Sequence, residues 1–320
     1  MDLRIKQGAL WVLALIFFLT LLGQIFFSTQ SNLLPLIQLV QICSGFVFAF
    51  IHGSIRYGGK GVFFFFVTIE IITFAIENLS IATGFPFGHY HYAPQAPIPF
   101  IGAVPITTGM AYFLYGYIAW WVATTLLRGL DAQVRVKYNA ILLPACASLT
   151  LLVWNIVAEP ISSTLQTKWI WENSGVFNGV PLTKFFGLSL TFYLFFQVFA
   201  LFLRSKNQPV HVVQKASFWI LPVLLYFFYA VTVIAMYLSA KSQLIEDAIG
   251  KSWDAKSIYA TAALASSNML LLSSLALFRY IKRKPQLDSE VVSEGITRTA
   301  PSPTQKRDEE PAKPNISLRF

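Results

Sequence analysis

The stretch GVFFFFVTIEIITFAIENLSIAT, residues 61–83, decides how the rest of the chain is read. Its length suits the roughly 20 residues that a helix needs to cross about 30 Å of hydrocarbon. It lacks the strict apolar–polar alternation of a membrane β-strand. Polar residues interrupt it, and among them Glu70, Thr73, Glu77 and Ser80 recur at spacings of three and four. Such spacing puts them on one face of the helix. A charge near mid-bilayer costs at least a few kcal/mol, so that face must turn into a bundle and find partners or protons there. The stripe fits either a functional site or a hydrogen-bond network that ties helices together.

The composition around this stretch agrees with a bilayer. Of 320 residues, 55% are hydrophobic and 12% charged, and the mean hydropathy is +0.58. Soluble domains carry about 25% charged residues. Apolar length and turn punctuation predict helices over 8–28, 33–53, 61–83, 105–127, 140–159, 185–204, 216–239 and 257–281. The expected fold is therefore all-α, a polytopic transmembrane bundle of about eight helices. Arg4 and Lys6 precede the first apolar run, but that run is too long for a signal peptide and no A-x-A site follows it. It reads as a retained first helix.

The net charge of +9 does not indicate nucleic acid, because the basic residues stand singly beside apolar runs. Arg4, Lys6, Arg56, Lys60, Arg128, Arg135, Lys137, Arg204, Lys206, Lys215, Arg279, Lys282, Arg283 and Lys284 mark alternate helix ends. The positive-inside rule then predicts that both termini are cytoplasmic. Residues 1–284 read as the membrane domain. Residues 285–320, rich in Pro, Ser, Thr, Lys and Glu, read as a disordered cytoplasmic tail dispensable for chemistry. Cys43 and Cys146 fall within predicted spans, with no CxxC, so neither a disulfide framework nor a thiolate metal site is expected.

The fifth predicted span carries Ser148, Asn155 and Glu159 on one side, and Pro160 is expected to end it. Under the predicted topology, Glu77, Asn78, Asn155 and Glu159 all lie near the extracytoplasmic boundary, with Glu70 deeper. That boundary also receives the loop GFPFGHYHYAP, residues 84–94, and the segment WIWENSGVFNGVP, residues 169–181. An interfacial aromatic belt accounts for most of their Phe, Tyr and Trp. His89 and His91 lack a third nearby His and an H-E-x-x-H pattern, so hydrogen bonds to carboxylates suit them better than a metal. His52 and His211 sit beside basic helix ends and read as interfacial. No Lys lies in the last two spans to hold retinal, and no Asp-rich motif, G-x-S-x-G, Walker A or dinucleotide fingerprint stands out. The residues describe an acidic, aromatic-lined membrane site with no cofactor.

Glu77, Gly84-Phe-Pro-Phe-Gly88, Tyr90, Tyr92 and Val104-Pro105 resemble a block of the carotenoid biosynthesis membrane family. That family includes bacterial γ-carotene 1',2'-hydratase and archaeal bisanhydrobacterioruberin hydratase. A second block agrees, with Glu159-Pro160, Trp169 and Trp171, Gly175, Phe177, Gly179-Val-Pro181, Phe185 and Gly187. The similarity spans roughly residues 33–281 and departs from the family pattern at Glu159, Lys184 and Leu188, where Asp, Asn and Trp are expected.

The resemblance implies a hydratase of the hydro-lyase type, adding water to the terminal 1,2 double bond of an acyclic carotenoid ψ-end. It implies no cofactor, a hydrophobic carotenoid substrate drawn from membrane lipid, other carotenoid biosynthesis enzymes as partners, and a bacterial cytoplasmic membrane as location. A carboxyl buried in low dielectric can hold a proton for the alkene, and Glu77 is the first choice of acid. Glu159, with Asn155 or His89, would position the water, and Glu70 would tune its neighbour; the reverse assignment of the two glutamates fits equally. Tyr90, Tyr92, Trp169 and Trp171 would stabilise the tertiary cation through their ring faces, with Phe87 and Asn78 completing the substrate site. Two alternatives stay open: a cyclase or isomerase beginning with the same protonation, and a non-catalytic carotenoid or lipid carrier.

Overall fold

The computed structural model describes residues 3–27, 31–93, 98–205, 216–247 and 249–299. Among them are seven helices: α1 (Leu3–Phe26), α2 (Leu34–Thr83), α3 (Ile106–Leu126), α4 (Asn139–Pro160), α5 (Leu182–Ser205), α6 (Ala216–Ser239) and α7 (Ala255–Thr299). Six short strands form three antiparallel ribbons: β1 (Tyr90–Tyr92) with β4 (Trp169–Trp171), β2 (Phe100–Ile101) with β3 (Val104–Pro105), and β5 (Leu244–Glu246) with β6 (Ser252–Asp254). The chain divides into two units, Met1–Tyr280 and Ile281–Phe320. Of the segment read as a tail, residues 285–299 continue α7, while residues 300–320 lie outside the described residues, as do His211, Lys206 and Lys215.

Among the described residues six helices are long and apolar enough to cross a membrane, which is the architecture of a multi-pass integral membrane protein. The longest, α2, is not one straight rod. At Gly58 the backbone takes φ 71° and ψ 166°, a region open essentially to glycine alone. The chain doubles back there. Phe46 and Phe50 lie 5.5 and 5.1 Å, ring centre to ring centre, from Phe66, whereas a straight helix would hold residues 46 and 66 about 30 Å apart. Gly53 lets the arms close, since a Cβ there would stand 2.6 Å from Val62 Cγ2. The two predicted spans 33–53 and 61–83 are thus the arms of one helical hairpin, each about 36 Å long at 1.5 Å per residue.

The remaining helix, α3, is buried nearly throughout from Phe113 to Thr125. It packs against α2, α4 and α6. Protein rather than lipid surrounds this half of the helix, so its Tyr, Trp and Thr residues carry no cost of facing hydrocarbon. Trp120, Trp121 and Tyr117 are fully buried.

The two ends of the bundle differ in chemistry. At the Gly58 end, Arg56 makes a bidentate pair with Asp131, 2.9 Å at each contact, and the Tyr57 hydroxyl donates to the same carboxylate at 2.8 Å. Lys6 Nζ donates to Ser54 Oγ at 3.3 Å, the Arg56 guanidinium lies 5.0 Å over the Trp219 ring, and Trp219 stacks on Tyr280. The start of α1, the 127–138 connection, the start of α6 and Tyr280 of α7 therefore share one end. His52 belongs to this cluster, which corrects its reading as an interfacial residue. It is fully buried, with Nδ1 2.6 Å from the Tyr117 hydroxyl and Nε2 2.7 Å from the Phe218 carbonyl.

The α-helical run of α4 ends at Pro160, as expected, but the coil does not stop there. The helix runs on into a π turn over Ile161–Leu165, closed by the Gln166 N–H donating to the Ile161 carbonyl at 3.0 Å. Pro160 has no N–H to continue the normal ladder, and the wider turn accommodates it. The Ser163 hydroxyl donates to the Glu159 carbonyl at 2.9 Å. Such π turns occur often at functional sites.

Candidate active site

At the other end of the bundle the two aromatic segments meet as a ribbon. Tyr90 pairs with Trp171, His91 with Ile170 and Tyr92 with Trp169. Side chains alternate across a strand, so Tyr90, Tyr92, Trp169 and Trp171 share one face. Their rings are in contact, Tyr90 with Trp171 at 4.9 Å and Tyr92 with Trp169 at 6.0 Å between centroids. Tyr90, Tyr92 and Trp169 line a cavity of about 880 Å³, and so do Glu77, Asn155 and Glu159. Two carboxylates from separate helices thus face one space.

Their settings are unlike. Glu77, at the end of α2, accepts hydrogen bonds from the Tyr90 hydroxyl and, at 2.7 Å, from the Tyr112 hydroxyl of α3. Lys184 Nζ, in the first turn of α5, lies 3.5 Å from Glu77 Oε1, and both side chains are buried. The ammonium sits over the Phe87 ring at 4.0 Å and within 5.3 and 5.7 Å of the Tyr90 and Trp171 rings. Cation–π attraction holds it there. Glu159 receives one hydrogen bond from a side chain, from Trp169 Nε1 at 2.8 Å. Asn155, one helical turn earlier, donates to the Leu151 carbonyl at 3.1 Å.

Two further cavity residues lie outside the helical spans. Burial, followed by the nearby Glu77 carboxylate, pushes the Tyr92 phenol well above its ordinary value, so it keeps its proton and remains a donor. Burial also lowers Lys168 from 10.5 to about 8.

Other candidates stand elsewhere. Phe87 is fully buried beneath the Lys184 ammonium, and Trp171 packs behind Tyr90. Asn78 acts as a clasp: its side chain donates to the Phe74 and Ile101 carbonyls and accepts from the Ala103 N–H. Glu70 lies against Gly109, outside the cavity lining, with Oε1 buried and lacking a hydrogen bond. His89 is exposed and folds back onto Gly84.

Lys184 and Tyr112 are the site residues that sequence reasoning missed. Tyr112 had a readable signal, because Thr108, Ala111, Tyr112 and Tyr115 recur at helical spacing and all line the cavity. Lys184 had none beyond its departure from the expected Asn.

No curated protein and no solved structure matches the chain. The family described as carotenoid biosynthesis protein matches residues 36–251, a stretch that takes in both aromatic strands, both cavity glutamates and Lys184, and the chain belongs to that family.

Proposed function

We propose that the protein is an enzyme that adds water across the terminal 1,2 double bond of an acyclic carotenoid ψ-end. The observation that carries this reading is the unequal pair of carboxylates, Glu77 and Glu159, on one aromatic-walled cavity. Glu77, with two phenol donors and an ammonium partner, is placed to accept a proton. Glu159, with a single indole donor and low-dielectric surroundings, is set up to carry a proton. This reverses the first choice of acid made from the sequence.

In the reaction, the π electrons of the terminal double bond take the proton from Glu159. A C–H bond forms at C2, and C1 becomes a tertiary cation. The ring faces of Tyr90, Tyr92 and Trp169 lie on the cavity wall to stabilise it. A water oxygen then bonds to C1 and gives its proton to the Glu77 carboxylate. Return of that proton to Glu159 restores the starting state, and the net change is one water added. Positioned proton transfer of this kind contributes about 10²–10⁴-fold to rate.

The same reading sets the protein in its membrane. Both arms of α2 and the six other helices cross, eight crossings in all, with α3 shielded inside. Arg4, Lys6, Arg56, Lys60, Arg128, Arg135 and Lys137 gather at the Gly58 end, which is therefore cytoplasmic. Both termini lie on that side of a bacterial cytoplasmic membrane, and the carboxylate cavity opens near the outer leaflet.

Expression in a host that makes lycopene, with mass analysis of the extracted pigments, tests the proposal. Wild type should yield a pigment heavier by one water, and Glu159→Gln should abolish it. A pigment of unchanged mass but altered spectrum would make the protein a cyclase or isomerase, and unaltered pigment with retained binding would make it a carrier.

A further inference from the structure

The cavity has a second polar patch, made by α1, the first arm of α2 and the segment after the π turn, away from the second arm that holds Glu77. Gln24 of α1, Gln38 and Gln41 of the first arm of α2, and Gln166 after the π turn all line it. Gln38 and Gln41 are three residues apart and so share a helix face. Gln24 Nε2 donates to Gln41 Oε1 at 2.9 Å, and Gln38 Nε2 donates to Gln166 Oε1 at 3.1 Å. Gln41 is 3% exposed, and its own Nε2 is buried with no hydrogen-bond partner. Both N–H bonds of that amide are therefore uncommitted at the cavity wall.

Pairs of glutamines that merely tie helices together would account for the two amide bonds. They do not account for the uncommitted Gln41 donor, nor for all four side chains lining the same cavity as the carboxylates. A buried amide donor without a partner is costly, and a ligand oxygen would remove that cost. An alkene hydrocarbon offers no such acceptor.

We propose that the four glutamines form a subsite for an oxygen atom, so that the cavity is built for an isoprenoid carrying a hydroxyl or keto group. The oxygen would accept from Gln41 Nε2 while the unsaturated end lies against the carboxylates. This inference rests on the carotenoid reading for the ligand skeleton, but not on hydration or any other turnover.

The test is equilibrium binding to the full-length protein in detergent, followed by quenching of tryptophan fluorescence. The probes are lycopene and a monohydroxylated lycopene, and the protein carries Glu159→Gln to prevent conversion. The hydroxylated probe should bind about tenfold more tightly, the worth of one buried hydrogen bond. Gln41→Leu should erase that preference while leaving lycopene binding within about twofold. Equal affinity of the two probes for the Gln41-containing protein would overturn the proposal, whatever the variant does. An equal loss for both probes in Gln41→Leu would overturn it too, because the amide would then be structural. Binding preference with no hydration by the parent enzyme would defeat the hydratase reading and leave the subsite standing.

Discussion

Lys184 and Glu77 form an ion pair 3.5 Å apart, buried where the start of α5 meets the end of the second arm of α2. Both side chains are almost wholly buried, so each charge depends on the other and on the Tyr90, Tyr112 and Phe87 side chains around them. Breaking a buried pair by removing one partner costs roughly 3–5 kcal/mol, whereas removing both charges can be nearly neutral. Lys184→Met should therefore lower the thermal unfolding midpoint in detergent, and Lys184→Met with Glu77→Gln should recover most of the loss. Additive losses in the double variant would show that the two side chains are not coupled.

The Arg56–Asp131 pair at the opposite end makes a contrasting prediction. Asp131→Ala leaves a buried guanidinium without its carboxylate and should destabilise by roughly 3–5 kcal/mol. Turnover per folded molecule should stay unchanged, because neither residue lines the cavity. A selective loss of turnover at unchanged stability would show that this cluster communicates with the site.

At Gly58 the open surroundings isolate a backbone effect. A Cβ would meet nothing within 4 Å at either Gly58 or Gly59, but only Gly58 has positive φ. Gly58→Ala should cost about 1–3 kcal/mol through strain alone, and Gly59→Ala should cost much less. Equal melting temperatures for the two variants would contradict the hairpin turn.

Lys168 gives a pH dependence of known sign. Its folded-state value is lowered from 10.5 to about 8, so between those values the unfolded chain binds more protons than the folded one. Stability must then rise as pH climbs from about 8 toward 10.5. Thermal melts across that range should show this rise, and Lys168→Met should lack its share of it.

Much of the fold was legible because apolar length reports long helices directly. Every predicted span has a helical counterpart, with 33–53 and 61–83 joined as the arms of α2. The ribbon between Tyr90–Tyr92 and Trp169–Trp171 was not legible as pairing, since three-residue strands carry too little pattern. Pro160 does close the α-helical run, but the π turn that follows it over Ile161–Leu165 depends on local packing and had no sequence signal. His52 has the flanking charges of an interfacial residue, and only tertiary contact with Tyr117 and Phe218 buries it. Lys184 reads from sequence as one more lysine in a loop. It becomes part of the site when Phe87 and Tyr90 fold across α5, a long-range event with no local signature.

The most direct measurement of the central claim is incubation of the purified protein with lycopene in water labelled with heavy oxygen, followed by mass analysis. The account predicts one heavy oxygen for each ψ-end hydrated, and no labelled product from Glu159→Gln. Unlabelled product from wild type, or full incorporation by Glu159→Gln, would contradict it.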